Sequence, residues 1–288
     1  ARGRKGSQLD ATCAIAPLLG VISSDHEPPL TLRAAKCLCR LIRNNVGNRL
    51  AAHEGGGVGI FVTLLSKEGG GGGGGDEEAE QMARELTALS AEALCHLCGD
   101  TAEAATRVRL GGAVPVFVDG PLKNCATEPE AATWAAGALA CIAASNNDGR
   151  SAMANHGKCL PALVNQIDFA VPWVAGIDSA TRTSKPTPLH RKAARRAAQA
   201  LASMFGSPEG ADAVADVVCV TASKSPRIGH AIRKAHKPLL MLLQDLARER
   251  LHAAQMSHSE DAMKTVLDLS RGVNLPKNET GAARHHFL

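Results

Sequence analysis

The 288-residue chain is 45% hydrophobic but only 2% aromatic, with two Trp, five Phe and no Tyr. It has the apolar content for a substantial buried core, which excludes a disordered protein, and that content is the aliphatic kind that suits close-packed helices better than sheets. A net charge of +4, from 32 basic and 28 acidic residues, falls well short of a dedicated nucleic-acid binder, and no apolar run approaches the ~18 residues of a membrane span.

Residues 1–6 are basic and lead into no signal-peptide core, and a start at Ala1 rather than Met fits a processed or truncated chain. The nine cysteines, an odd number scattered mainly through predicted helices, fit free thiols in a reducing compartment better than a disulfide framework. The sequence thus predicts an intracellular, cytoplasmic protein.

Taken in chain order, four segments superimpose without gaps: AAKCLCRLI from Ala34, SAEALCHLC from Ser90, AAGALACIA from Ala135 and AAQALASMF from Ala197. Each predicts a helix with small residues and one shared leucine on a single face, the leucines being Leu38, Leu94, Leu139 and Leu201. After the first three, a glycine opens a new apolar run: Gly57 before VGIFVTLL, Gly112 before AVPVFV and Gly157 before KCLPALV. That order predicts a helix, a short linker, and a sharp glycine turn into the next helix.

This pattern resembles the armadillo superfamily, whose repeats carry an A-A-x-A-L-x-N-L-A helix followed by G-A-I-P-x-L-V. GGAVPVFV at Gly111 and HGKCLPALV at His156 match it closely, and the resemblance covers residues 11–220. It implies an all-α protein, a right-handed α-solenoid of armadillo-like repeats. The interval from Leu94 to Leu139 fits the ~40–47 residues of such repeats, and the longer intervals on either side predict insertions at residues 66–80, with seven consecutive glycines and an acidic DEEAE, and at residues 168–190, rich in Pro, Ser and Thr. Surface loops of this kind cost little closure entropy and leave the register intact.

Beyond Val220 the pattern loosens. Ser225-Pro226, Pro238 and Ser259 each predict a helix start, and Leu239, Leu240, Leu242, Leu243, Leu246 and Leu251 form an apolar stripe. These predict a degenerate helical cap over residues 226–272, so that residues 1–272 form a single solenoid and 273–288 an irregular tail.

In armadillo proteins the binding groove is lined by the last helix of each repeat, here the one with the A-A-x-A-L motif. Arg33, Lys36, Arg40 and Arg43 share one face of the first such helix, and Lys192, Arg195 and Gln199 share a face of the last, with Arg196 alongside. The two helices between offer Glu92 with His96, and Gly137 with Cys141. The candidate groove residues are therefore Arg33, Lys36, Arg40, Arg43, His96, Lys192, Arg195, Arg196 and Gln199, a set suited to carboxylates and phosphates. The alternative is an ordinary solvated helix face. Armadillo import receptors clamp basic peptides with an Asn and a Trp at fixed places in this helix. The Asn places hold Arg40, His96, Cys141 and Ser203 here, the Trp places hold no Trp, and Trp134 lies too early in its helix, which argues against a carrier of basic signals.

Other motifs have plainer readings. Cys95-His96-Leu97-Cys98 lacks four converging ligands, and the thiols read as small packing groups, so no metal or other cofactor is expected. The glycine run is a linker, since no strand precedes it and no Gly-Lys-Ser/Thr follows. Ser179, Thr183, Ser184 and Thr187 sit among Arg182, Lys185 and prolines in a context that would suit a kinase, although an unmodified loop is the simpler reading, and His285-His286 has no partner cluster. No spacing of Asp, His, Ser or Cys suggests catalysis.

The resemblance implies a non-enzymatic protein-interaction scaffold or adaptor within a larger assembly. A cytoskeletal or ciliary (axonemal) setting follows by family analogy and from a composition that hints at a GC-rich coding sequence, with tubulin or axonemal proteins as partners bearing acidic surfaces. The alternative is a soluble regulatory or transport adaptor that captures short acidic or phosphorylated peptides.

Overall fold

A computed structural model of the chain describes residues 12–24, 27–68, 77–99, 101–169, 187–207, 210, 213 and 214. The described residues contain helices and turns and no strand. In order, the helices are α1 (Thr12–Ser23), α2 (Pro28–Ile42), α3 (Val46–Glu54), α4 (Gly57–Glu68), α5 (Glu77–Cys98), α6 (Ala102–Leu110), α7 (Ala113–Phe117), α8 (Pro129–Ser145), α9 (Asn147–Asn155), α10 (Cys159–Phe169) and α11 (Pro188–Met204). Helix α7 runs on into a π turn at Val118–Leu122 that contains Pro121. Proline has no N–H and its ring crowds the carbonyl four residues back, so a widened turn is where a helix tolerates it.

The helices form three rows. α2, α5, α8 and α11 pack side by side in succession, α1, α4, α7 and α10 back them in a second row, and the short α3, α6 and α9 bridge one repeat to the next. Each repeat therefore buries its apolar side on its neighbours, as a solenoid requires. The four shared leucines, Leu38, Leu94, Leu139 and Leu201, have no exposed surface. Around them Ala35, Ala91, Ala93, Ala135, Ala136, Ala138, Ala197, Ala198 and Ala200 are equally buried, and side chains this small let successive helices approach closely.

The joints are specified locally. Each bridging helix starts on a polar cap: Asn45 accepts from the Asn48 amide, Thr101 from Ala104 and Asn146 from Gly149, each worth ~1 kcal/mol. Two of these helices also carry an arginine four residues after the cap. Arg49 Nη1 donates to the carbonyls of Ile42 and Arg43, and Arg150 Nη1 to that of Ala143, so each closes the frayed end of the preceding helix.

The glycine turns differ in detail from the sequence expectation. Gly112 does adopt the left-handed conformation, with φ +87°. At the first joint, however, the left-handed residue is Gly56, at φ +77°. Gly57 instead begins α4, where a Cβ would stand 2.8 Å from the Ala52 carbonyl oxygen. At the third joint His156 turns the chain at φ −83°, so no left-handed residue is needed and Gly157 is not the pivot.

Of the first long interval, residues 66–68 complete α4 and 77–80 open α5, and 69–76 lie outside the described residues. Of the second, 170–186 lie outside, but the ends are clear. Phe169 and His190 meet with ring centroids 4.7 Å apart, and His190 Nε2 reaches the Ala126 carbonyl at 3.2 Å. The segment leaves and returns at one place, which is why the repeat register survives it. The expected cap at 226–272 and the tail at 273–288 lie outside the described residues.

Candidate binding groove

The open face of the α2, α5, α8 and α11 row is built from positions three, four and seven residues apart, which fall on one side of a helix. On α2 these are Arg33, Lys36, Arg40 and Arg43, facing Glu85, Glu92 and His96 on α5. Lys36 Nζ lies 2.7 Å from Glu85 Oε1, and Arg43 Nη2 pairs with Glu92 Oε1. Two of the four cations are thus taken up by the next rung. Arg33 and Arg40 are exposed and have no ion-pair partner among the described residues.

The Arg43 and Glu92 pair continues along the face. His96 Nε2 stands 3.4 Å from Glu92 Oε1, close enough for electrostatic contact though not placed for a hydrogen bond, and the His96 ring tilts against Trp134 of α8 with centroids 5.4 Å apart. Lys192 of α11 places its Nζ 5.3 Å from the centroid of the same Trp134 ring, a cation–π distance. A single line of polar and aromatic contacts, Arg43, Glu92, His96, Trp134 and Lys192, therefore crosses all four helices.

Glu92 is nearly buried, yet its carboxyl is held below the usual carboxylate range. The neighbouring His96 imidazole is the largest cause. Burial pushes the other way, and the hydrogen bond and charge of Arg43 tip the balance to the ionised form. Arg43 is raised in turn, mainly by its hydrogen bond to Glu92.

At the far end Arg195 and Arg196 are exposed on α11. Arg196 Nη1 lies 3.2 Å from Gln199 Oε1, and its chain lies over Gly137, where a Cβ would stand 3.8 Å from Arg196 Cδ and 3.2 Å from Cys95 Sγ. The candidate residues therefore form two groups. Arg33, Lys36, Arg40, Arg43 and His96 gather around α2 and α5, while Lys192, Arg195, Arg196 and Gln199 gather on α11 beside Trp134.

Sequence reasoning set Trp134 aside, yet it is the residue on which the two groups meet. The signal was available: Trp134 precedes Gly137 by three residues and so shares its face. Likewise Glu85 and Glu92 are seven residues apart on α5, matching the spacing of Lys36 and Arg43 on α2.

The buried cysteines among the described residues behave as packing groups. Burial pushes Cys39, Cys95 and Cys159 up to about 12 and raises Cys98 well above its ordinary value, with Cys39 Sγ directed at the Leu89 carbonyl. Among the described residues no three His, Cys, Asp or Glu converge as a metal ion would require, and no helix is long and apolar enough to cross a membrane.

No protein-family model and no curated protein sequence matches the chain. Solved structures do. A designed armadillo repeat protein in complex with the peptide (KR)4 superimposes with a TM-score of 0.53 at 16% identity, covering 88% of this chain and 98% of the designed one. The fold is an armadillo-repeat solenoid. A structure from work on a phosphorylation switch controlling the interaction between cadherin and β-catenin matches the solenoid with a TM-score of 0.55 at 17% identity, over 92% of this chain and 55% of that one. The armadillo-repeats-only protein of Plasmodium falciparum matches with a TM-score of 0.53 at 16% identity, over 79% of this chain and 92% of that one.

Proposed function

We propose that this armadillo solenoid is a non-catalytic interaction scaffold that docks an acidic protein surface on its open face. The observation that carries the reading is the distribution of charge. The middle of the face is neutralised from within by Glu85 and Glu92, whereas Arg33 and Arg40 at one end and Lys192, Arg195 and Arg196 at the other remain available to a partner. Fixed cations at both ends of a groove select acidic partners and repel basic ones. The designed armadillo protein, by contrast, is in complex with the basic peptide (KR)4.

A cytoskeletal or ciliary assembly, with the acidic surface of tubulin or an axonemal protein as partner, is one setting for such a scaffold. Capture of short acidic or phosphorylated peptides is the second reading. It is favoured by Trp134, which sits between His96 and Lys192 and offers a ring beside a cation. A phosphorylation switch in the interaction between cadherin and β-catenin supports that mode within the fold.

The test is combined charge reversal: Arg33→Glu, Arg40→Glu, Lys192→Glu and Arg195→Glu. Tubulin co-pelleting and fluorescence anisotropy with an acidic and a phosphorylated peptide are measured on both forms. Loss of binding together with steep salt dependence in the parent supports the groove. Undiminished binding by the reversed form sinks it, and the probe that is lost tells tubulin docking from peptide capture.

A further inference from the structure

We propose a second docking site, the outward side of α2 at the first rung, which takes an acidic amphipathic helix of a partner protein stacked there as a further rung. It does not rest on the groove reading, with which it shares only Arg33 and Arg40.

Each later rung helix uses equivalent positions against the rung before it. Five residues ahead of the shared leucine stand Trp134 of α8, whose ring meets His96 of α5, and Arg196 of α11, whose chain lies over Gly137 of α8. The positions three before and four after that one share its face. In α5, α8 and α11 they are closed: Leu86, Ala131 and Ala193 are at most 7% exposed, and Ala93, Ala138 and Ala200 have no exposed surface.

α2 has no rung before it among the described residues, and its matching positions are open. They are Leu30, at 47% exposure, and the exposed Cys37. With buried Ala34 and half-buried Leu41 they follow one another at intervals of four, three and four, the spacing of a seam along which one helix packs on another, ~17 Å long. An end rung that faces water carries polar residues on its outer face, and this seam carries none.

Charge selects the occupant. Arg33 takes the place of Trp134 and Arg196, and Arg40 lies two turns on along the same border of the seam. Both are exposed, with no ion-pair partner among the described residues. On the other side of α2 the matching demand is already met: Lys36 and Arg43, seven residues apart, pair with Glu85 and Glu92, seven apart on α5. Arg33 and Arg40 repeat that spacing, so a helix with two carboxylates seven residues apart beside an aliphatic stripe satisfies charge and seam together. Residues 1–11 hold three cations, one acid and one large aliphatic residue, Leu9, and suit the place poorly. A second copy paired antiparallel through this seam would line up four arginines along one edge.

The experiment uses the full chain and a blocked helical peptide of about five turns, with an alanine and leucine seam and two glutamates seven residues apart beside it. A twin peptide carries lysines in place of the glutamates. Binding is read by fluorescence anisotropy, and occupancy by the rate at which iodoacetamide alkylates Cys37. The glutamate peptide is expected to bind more tightly than its twin and to slow alkylation of Cys37. Leu30→Ser, outside the core, should weaken it about tenfold. Arg33→Glu with Arg40→Glu should reverse the preference toward the twin, and Lys192→Glu with Arg195→Glu should leave the affinity unchanged, which separates this site from the groove. Equal binding of the two peptides, an unprotected Cys37, unchanged affinity in Leu30→Ser, or an equal loss in the Lys192 and Arg195 variant would overturn the proposal. So would a concentration-dependent dimer in sedimentation that Leu30→Ser disperses, since the occupant would then be a second copy of this chain. Faster Cys37 alkylation in Leu9→Asp would likewise overturn it, by making residues 1–11 the cover.

Discussion

Arg43 of α2 and Glu92 of α5 join successive rungs through an ion pair whose two ends live in different media, the carboxylate side chain 8% exposed and the guanidinium 50%. Removing the wet end strands the dry one. Arg43→Ala should therefore destabilise the fold by about 1–3 kcal/mol, toward the low end because water reaches the vacated place and His96 remains. Glu92→Gln keeps an acceptor for Arg43 and should cost less. In chemical denaturation the double variant should lose less than the sum of the two, and strict additivity would show that the residues do not interact.

The same carboxyl predicts an acid limb. Its folded value lies below the ordinary 4.5, so as pH falls the unfolded chain takes the proton first. The contribution of Glu92 is complete above about pH 4.5 and is lost as pH drops through the folded value. Thermal melts from pH 6 downward should show a shallower decline in Glu92→Gln than in the parent, and parallel curves would remove Glu92 as a source.

Leu139 has no exposed surface, so Leu139→Ala removes a packed side chain from between α8 and its neighbours and should cost about 2–5 kcal/mol. Leu110, at 71% exposure, is the control. Its alanine variant should stay within ~0.5 kcal/mol of the parent by urea denaturation.

Gly149 sits where a Cβ would lie 2.1 Å from the Ile142 carbonyl oxygen, and backbone cannot move aside as a side chain can. Gly149→Ala should lower the melting temperature clearly. Gly20→Ala, inside α1 with nothing within 4 Å, should raise stability by about 0.5–1 kcal/mol. The opposite signs distinguish close approach from mere helix propensity.

Thiol chemistry should follow burial. Cys13 and Cys37 are exposed, whereas Cys39, Cys98 and Cys159 are buried, with the Cys39 and Cys159 thiols pushed up to about 12 and Cys98 well above its ordinary value. Brief iodoacetamide treatment of the native protein at pH 8, read by peptide mass spectrometry, should alkylate the first two and spare the other three.

The rows of the solenoid were legible because small residues at helical spacing around Leu38, Leu94, Leu139 and Leu201 leave close-packed helices as the natural way to hide them. Helix pairing across repeats was not legible, since it depends on which face of α5 meets α2. Only the structure shows that Lys36 and Arg43, though still open to solvent, meet Glu85 and Glu92. Trp134 was passed over for a related reason: comparison with a peptide-clamping position asked whether the ring occupied one particular place, not what it touched. The turn at Gly56 escaped because three glycines stand in a row at Gly55–Gly57, and composition alone does not say which of them takes positive φ.

The caps at Asn45 and Asn146, each with an arginine reaching back from the fourth position beyond, make the elbow between repeats a property of a few neighbouring residues. Such an elbow does not wait for distant parts of the chain. The bend of the whole rod is then the accumulated angle of prefabricated corners, and an edit at one of them would re-aim everything downstream while leaving each straight section intact.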